Sequence, residues 1–117
     1  MSRTREPLAW SLFAVGGMLA ALFLPAIVLV AFVASPLGWF GPVGHAGWME
    51  WYSSPAFRLG LTLFVPVILL HAAHRFRYTL YDGLQLYHLD RLISWCTYGL
   101  ALALSGVGLL ILWVALP

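Results

Sequence analysis

LISWCTYGLALALSGVGLLILWVALP, residues 92–117, carries no charged side chain from end to end. About 20 mainly apolar residues suffice for a helix to cross the hydrocarbon of a bilayer, so this stretch reads as a membrane span. Two more uncharged stretches precede it, at 7–49 and 59–74. The charges that bound all three are the acids Glu6, Glu50, Asp82 and Asp90 and the bases Arg3, Arg5, Arg58, Arg75, Arg77 and Arg91. The first stretch exceeds one span, and Ser35-Pro36-Leu37-Gly38 is a turn signal that ends a helix. The second is short, but Arg58 and Arg75 extend it by laying their stems along lipid and lifting their heads to the two interfaces. The predicted spans are 10–34, 55–78 and 90–116, within a single membrane domain covering 1–117. The expected fold class is an all-α membrane protein of three transmembrane helices.

Composition points the same way. Of 117 residues, 62% are hydrophobic and 9% charged, against about 25% charged in a soluble domain. A particle this small is mostly surface, and so few charges do not keep so apolar a surface in water. The same figures exclude a disordered chain. A formal charge of +2 over six arginines is too thin for a nucleic-acid surface, so no nucleic-acid partner is expected. A single cysteine, Cys96, excludes an intrachain disulfide and any cysteine-based zinc or iron–sulfur site.

Orientation follows from the arginines. Arg3 and Arg5 precede the first span, and Arg75, Arg77 and Arg91 flank the second connection, while the first connection has no basic residue. The positive-inside rule then puts the N-terminus and the second connection in the cytoplasm and the C-terminus outside. The N-terminal segment reads as a retained span, since its apolar run is too long for a cleaved signal and contains Pro25. Trp39, Phe40, Trp48, Trp51 and Tyr52 place the first connection along the outer interface, where amphipathic aromatics gather.

Within the spans, Gly16 with Ala20, Gly17 with Ala21, Gly99 with Ala103, and Ala101 with Ser105 are small pairs one helical turn apart. Such pairs let helix backbones approach closely in lipid, on this chain or another. Pro25 and Pro66 each remove a donor and free the carbonyl one turn earlier, at Ala21 and Thr62, so kinks are expected there.

Ionisable groups at membrane depth are functional candidates. His71, His74, Arg75 and Tyr78 share a face of the second span at spacings of three and four, with Arg77 beyond. Trp10, Phe13 and Gly17 share a face of the first span, and Arg91, Trp95 and Tyr98 lie at the start of the third. All three groups reach the same leaflet. Stacking rings, a permanent donor and an imidazole that donates or accepts near neutral pH suit a quinone, with its flat apolar ring and two carbonyls. Plainer roles stand beside this reading. Arg75 and Arg77 also suit simple interface markers, Trp10 a belt aromatic, and His74 a bond to a neighbouring helix. Asp82, Asp90 and Arg91 read as a solvated inner turn. His71 is a haem candidate only if a partner supplies the second ligand, because His45 and His88 lie in the connections. His71 and His74 lack a third ligand for a metal site. No catalytic constellation is visible, so the isolated chain is expected to catalyse nothing.

The ordered set Glu6-Pro7, Trp10, Leu12-Phe13, Gly16-Gly17-Met18 and Pro25 resembles the opening of the D subunit of fumarate reductase. The resemblance continues at Pro36-Leu37-Gly38, at His74-Arg75 and Asp82, and at Tyr98-Gly99-Leu100-Ala101. It implies a membrane anchor that pairs with a second three-helix anchor, the C subunit of such complexes. The two would hold a flavoprotein and an iron–sulfur subunit at the cytoplasmic face of the bacterial inner membrane. It implies menaquinol oxidation near that face, FAD and iron–sulfur clusters in the partner subunits only, and no haem. The quinone-binding residues it implies are Trp10, Phe13, His74 and Arg75; the shared faces add Gly17 and Tyr78. Tyr78 and Arg77 stand where members of the family carry histidines, and His71 is a histidine the family does not lead one to expect. Two other functions fit the residues: a haem-sharing cytochrome b anchor of a succinate:quinone oxidoreductase, and a self-associating structural membrane protein.

Overall fold

A computed structural model describes residues 6–39 and 44–116. Arg3, Arg5 and Phe40, and the side chains of Glu6 and His45, lie outside the described residues. Among the described residues the structure is helical, with no strand. Helix α1 runs Glu6–Val28 and continues as a π-helical segment, Leu29–Ala34. The short α2 is His45–Ser53, α3 is Pro55–Leu84, and α4 is Asp90–Leu110 with a further π segment, Ile111–Ala115. Three of these stretches, Pro7–Ala34, Pro55–Leu84 and Tyr87–Ala115, are long and apolar enough to cross a membrane. The longest dimension of the molecule is 52 Å, slightly more than the roughly 40–45 Å of a bilayer with its headgroups.

Local chemistry sets the boundaries. The wide π turns begin one turn after Pro25. They end at Ala34, and the turn that follows contains Gly38, whose φ of +74° is open to glycine at no steric cost. Trp39 N–H then bonds Ala34 C=O across six residues at 3.0 Å, a left-handed closing of the helix. Ser54 is extended, as a residue before proline prefers, and Pro55 opens α3 at a position where its missing N–H is not needed. α3 does not stop near Tyr78, as the charges suggested. It continues to Leu84, because arginines at an interface do not break a helix, and it ends where Gln85 turns left-handed at φ 53°. The inner connection is therefore tight, with only Gln85 and Leu86 before the 3-10 turn Tyr87–Leu89.

α3 is the middle helix and packs against both α1 and α4. The buried side chains are few and mostly small: Ala34, Ala73, Ala101 and Ser105, with Tyr81, Ile93 and Leu112. Gly16 is buried against Val67 and His71 of α3, where an added Cβ would lie 2.9 Å from the Val67 carbonyl oxygen. Small residues at a crossing let dispersion contacts form between backbones, the main source of cohesion in lipid. Of the pairs read from the sequence, Gly16 and Gly17 face α3, and Ala101 and Ser105 are buried. Gly99 and Ala103 face outward. Large apolar side chains cover the outside, Phe32, Trp95 and Val114 being more than 70% exposed. In water such a surface would aggregate; in a membrane it meets lipid or other apolar helices.

Candidate functional site

The site lies at the end of the bundle that carries Arg75, Arg77 and Arg91. α1 brings Trp10 and Phe13, α3 brings His71, His74, Arg77 and Tyr78, and α4 brings Tyr98. Together with Leu12, Val67 and Leu70 they line a cavity of about 430 Å³, within the range of small-molecule sites. Phe13 is its hub. The Phe13 ring stacks on His71 at 4.5 Å, lies 4.6 Å from His74, and meets Trp10 edge-on at 5.9 Å.

The two histidines have different surroundings. His71 Nδ1 is 2.9 Å from the Phe13 carbonyl oxygen, and the Cε1 side of its ring lies against Gly17. A Cβ on Gly17 would come within 2.7 Å of His71 Cε1, so the glycine is what admits the imidazole between α1 and α3. His74 Nδ1 is 2.6 Å from the Tyr98 hydroxyl of α4, and its ring lies 4.8 Å from Tyr78. With Nδ1 engaged, the remaining polar atom of His74 is Nε2. Among the described residues, no three His, Cys, Asp or Glu side chains gather where they would hold a metal ion.

The structure brings together Trp10, Phe13, His74 and Tyr78, with Gly17 beneath them against His71. Arg75 is on a different flank. Its side chain is exposed, does not line the cavity, and makes no hydrogen bond or ion pair among the described residues. The guanidinium lining the cavity is that of Arg77, packed 5.3, 5.8 and 5.9 Å from the ring centres of Tyr81, Tyr78 and Tyr98. Arg77 Nε donates to Tyr81 Oη at 2.6 Å and Nη2 to Asp90 Oδ1 at 2.6 Å, while Tyr81 Oη donates to the same Asp90 oxygen. Sequence reasoning did not single out Tyr81, although it lies four residues beyond Arg77 on the same face. Asp90 is distant along the chain, and only the tight inner turn brings it back to α3.

Comparison with known proteins agrees with this architecture. The family model for the D subunit of fumarate reductase matches residues 1–114. Proteins named as the D subunit of fumarate reductase from Mycobacterium bovis and Mycobacterium tuberculosis are 43% identical to the chain over 100 residues, which is 85% of this chain and 79% of theirs. One of the same name from Shewanella putrefaciens is 36% identical over 117 residues, covering 96% of this chain and 91% of its own. No solved structure matches significantly. Three membrane-length helices and a family match along almost the whole sequence lead to one conclusion: the chain belongs to the fumarate reductase D-subunit family, as a multi-pass membrane-anchor subunit of that complex.

Proposed function

We propose that the chain anchors a quinol:fumarate reductase in the bacterial cytoplasmic membrane and forms part of its menaquinol oxidation site. With the C subunit as a second anchor, it holds the flavoprotein and iron–sulfur subunits at the cytoplasmic face. The observation that carries this reading is the convergence of two aromatic rings, an imidazole and a phenol on one cavity at the arginine-bearing end of the bundle. Positive-inside makes that end cytoplasmic, with the N-terminus inside and the C-terminus outside.

The donor set fits a quinol headgroup. Trp10 and Phe13 give the ring an apolar wall. His74 Nε2 accepts from, or donates to, a quinol oxygen, and the Tyr98 hydroxyl on Nδ1 holds the imidazole in place. Tyr78 supplies a second hydroxyl at the rim. Gly17 keeps α1 close enough to α3 for both walls to meet. Arg75, exposed on another flank of α3, is free to meet a partner subunit or the quinol from that side. FAD and iron–sulfur clusters reside in those partners and carry the electrons onward. No haem is assigned to His71, whose ring is stacked on Phe13 and bonded to its carbonyl. The chain alone has no group that performs redox chemistry, so its part is to bind and orient the quinol.

The test is His74→Leu in the assembled complex. Fumarate reduction by a soluble artificial donor bypasses the membrane site and stays at the wild-type rate. Menaquinol-driven reduction falls by about tenfold, as loss of a hydrogen bond to the substrate predicts. Wild-type menaquinol turnover would refute the site.

A further inference from the structure

Asp90, at the exposed inner turn, is bonded to an arginine that lines the cavity. We propose that Arg77 is a quinol-binding residue and that Asp90, outside the cavity on α4, positions it with the help of Tyr81. The proposal rests on the quinol-site reading above and goes beyond it, since neither the sequence motifs nor the family resemblance assigns a role to Asp90 or Tyr81.

The guanidinium has more donors than its partners in this chain engage. Arginine has five N–H donors in a planar fork and keeps its charge. In Arg77, Nε donates to Tyr81 and Nη2 to Asp90, and the Tyr98 hydroxyl is a third hydrogen-bonding neighbour; three such partners still leave donors of the fork uncommitted among the described residues. The side chain is 22% exposed and that of Asp90 52%. The arginine is therefore the inner partner and the aspartate the outer one. Tyr81 is buried and donates to the carboxylate while accepting from the guanidinium, which closes a triangle of three groups. Ser94 Oγ, one turn into α4, lies 3.5 Å from the same carboxylate oxygen.

An exposed ion pair by itself contributes little to stability, so the triangle is poorly explained as a brace. Its geometric consequence is larger. A long side chain otherwise free to swing into the aqueous boundary is held at the cavity, against Tyr78 and Tyr98. A donor fixed before the ligand arrives loses less entropy on binding. Arg75, exposed and unpaired among the described residues, lacks this preorganisation.

The experiment uses the whole complex with menadiol as the soluble quinol. Arg77→Leu is expected to raise the menadiol KM by roughly tenfold to a hundredfold, the range for a charged hydrogen bond, with a smaller change in kcat. Asp90→Asn raises KM in the same direction, and Asp90→Glu restores it. The double variant Arg77→Leu/Asp90→Asn is no worse than Arg77→Leu alone, because Asp90 acts only through Arg77. Arg91→Gln, a neighbouring charge outside the network, keeps the wild-type KM. If Arg77→Leu does not assemble, Arg77→Lys, which keeps the charge and loses the fork, takes its place in the cycle. A wild-type KM in Asp90→Asn, or effects of the two substitutions that multiply in full, would overturn the proposal. A KM raised by His74→Leu but not by Arg77→Leu would reject this inference alone; a quinol rate unmoved by either would reject the site itself.

Discussion

Gly17 and His71 show how one residue's chemistry is set by another's absence of a side chain. The imidazole occupies the space a Cβ would need, with Cε1 only 2.7 Å from that position. Gly17→Ala must push His71 or separate α1 from α3, and the Phe13 bond and stacking go with it. Overpacking of this kind destabilises by about 1–3 kcal/mol. The variant complex is expected to melt at lower temperature and to lose menaquinol turnover more than turnover with a soluble donor. Equal melting curves would show that the seat is not tight. Gly99→Ala, where an added Cβ meets nothing among the described residues within 4 Å, is expected to leave the α1–α3 seat intact. The small-residue spacing in the first span was legible in the sequence, but its partner was not. Nothing in the spacing of three and four says that His71, rather than a leucine, lies on the glycine.

At the scale of elements, α3 decides the architecture. It carries the site at one end and a second set of cross-links at the other. Near its start, Arg58 Nε donates to the Tyr52 carbonyl of α2 at 2.6 Å, and Nη2 reaches the Leu116 carbonyl at 3.4 Å. One turn on, the Thr62 hydroxyl donates to the Arg58 carbonyl and accepts from Trp113 Nε1 of the terminal π segment at 2.9 Å. Pro66 frees the Thr62 carbonyl, yet the threonine hydroxyl is used in this cross-link to the third span. Trp113→Phe removes one interhelical hydrogen bond, about 1 kcal/mol in a membrane protein. A modest loss of thermal stability is expected, with the menadiol KM unchanged because the site lies at the opposite end. A raised KM would mean that the two ends are coupled. The proline positions were readable as breaks in the ladder. That π turns follow the first proline, over Leu29–Ala34, was not legible in the sequence.

For the whole molecule, the question is which end faces the cytoplasm. In a Cys96→Ala background, Gln85→Cys is expected to react with a membrane-impermeant thiol reagent only in inverted vesicles. Trp51→Cys is expected to react only from outside intact cells. The opposite pattern would reverse the orientation and move the cavity to the outer leaflet, where a cytoplasmic iron–sulfur subunit would not reach it. The strongly apolar exterior suits contact with lipid and with other subunits of the complex.

The sequence by itself determined the class and the number of spans. Hydrocarbon thickness and the cost of burying charge act on each stretch separately, so a local count of charges and apolar residues is enough. It also indicated Trp10, Phe13, His74 and Tyr78, because helical spacing fixes which residues of one helix share a face. Only the tertiary structure decided between Arg75 and Arg77, which helical spacing sets on different sides of α3, putting Arg77 against the cavity and Arg75 on the outer flank. That choice depends on the rotation of α3 against α1 and α4, which is set by glycine contacts and by a carboxylate thirteen residues away across a tight turn. No local reading contains those contacts, since each needs two helices to have already met.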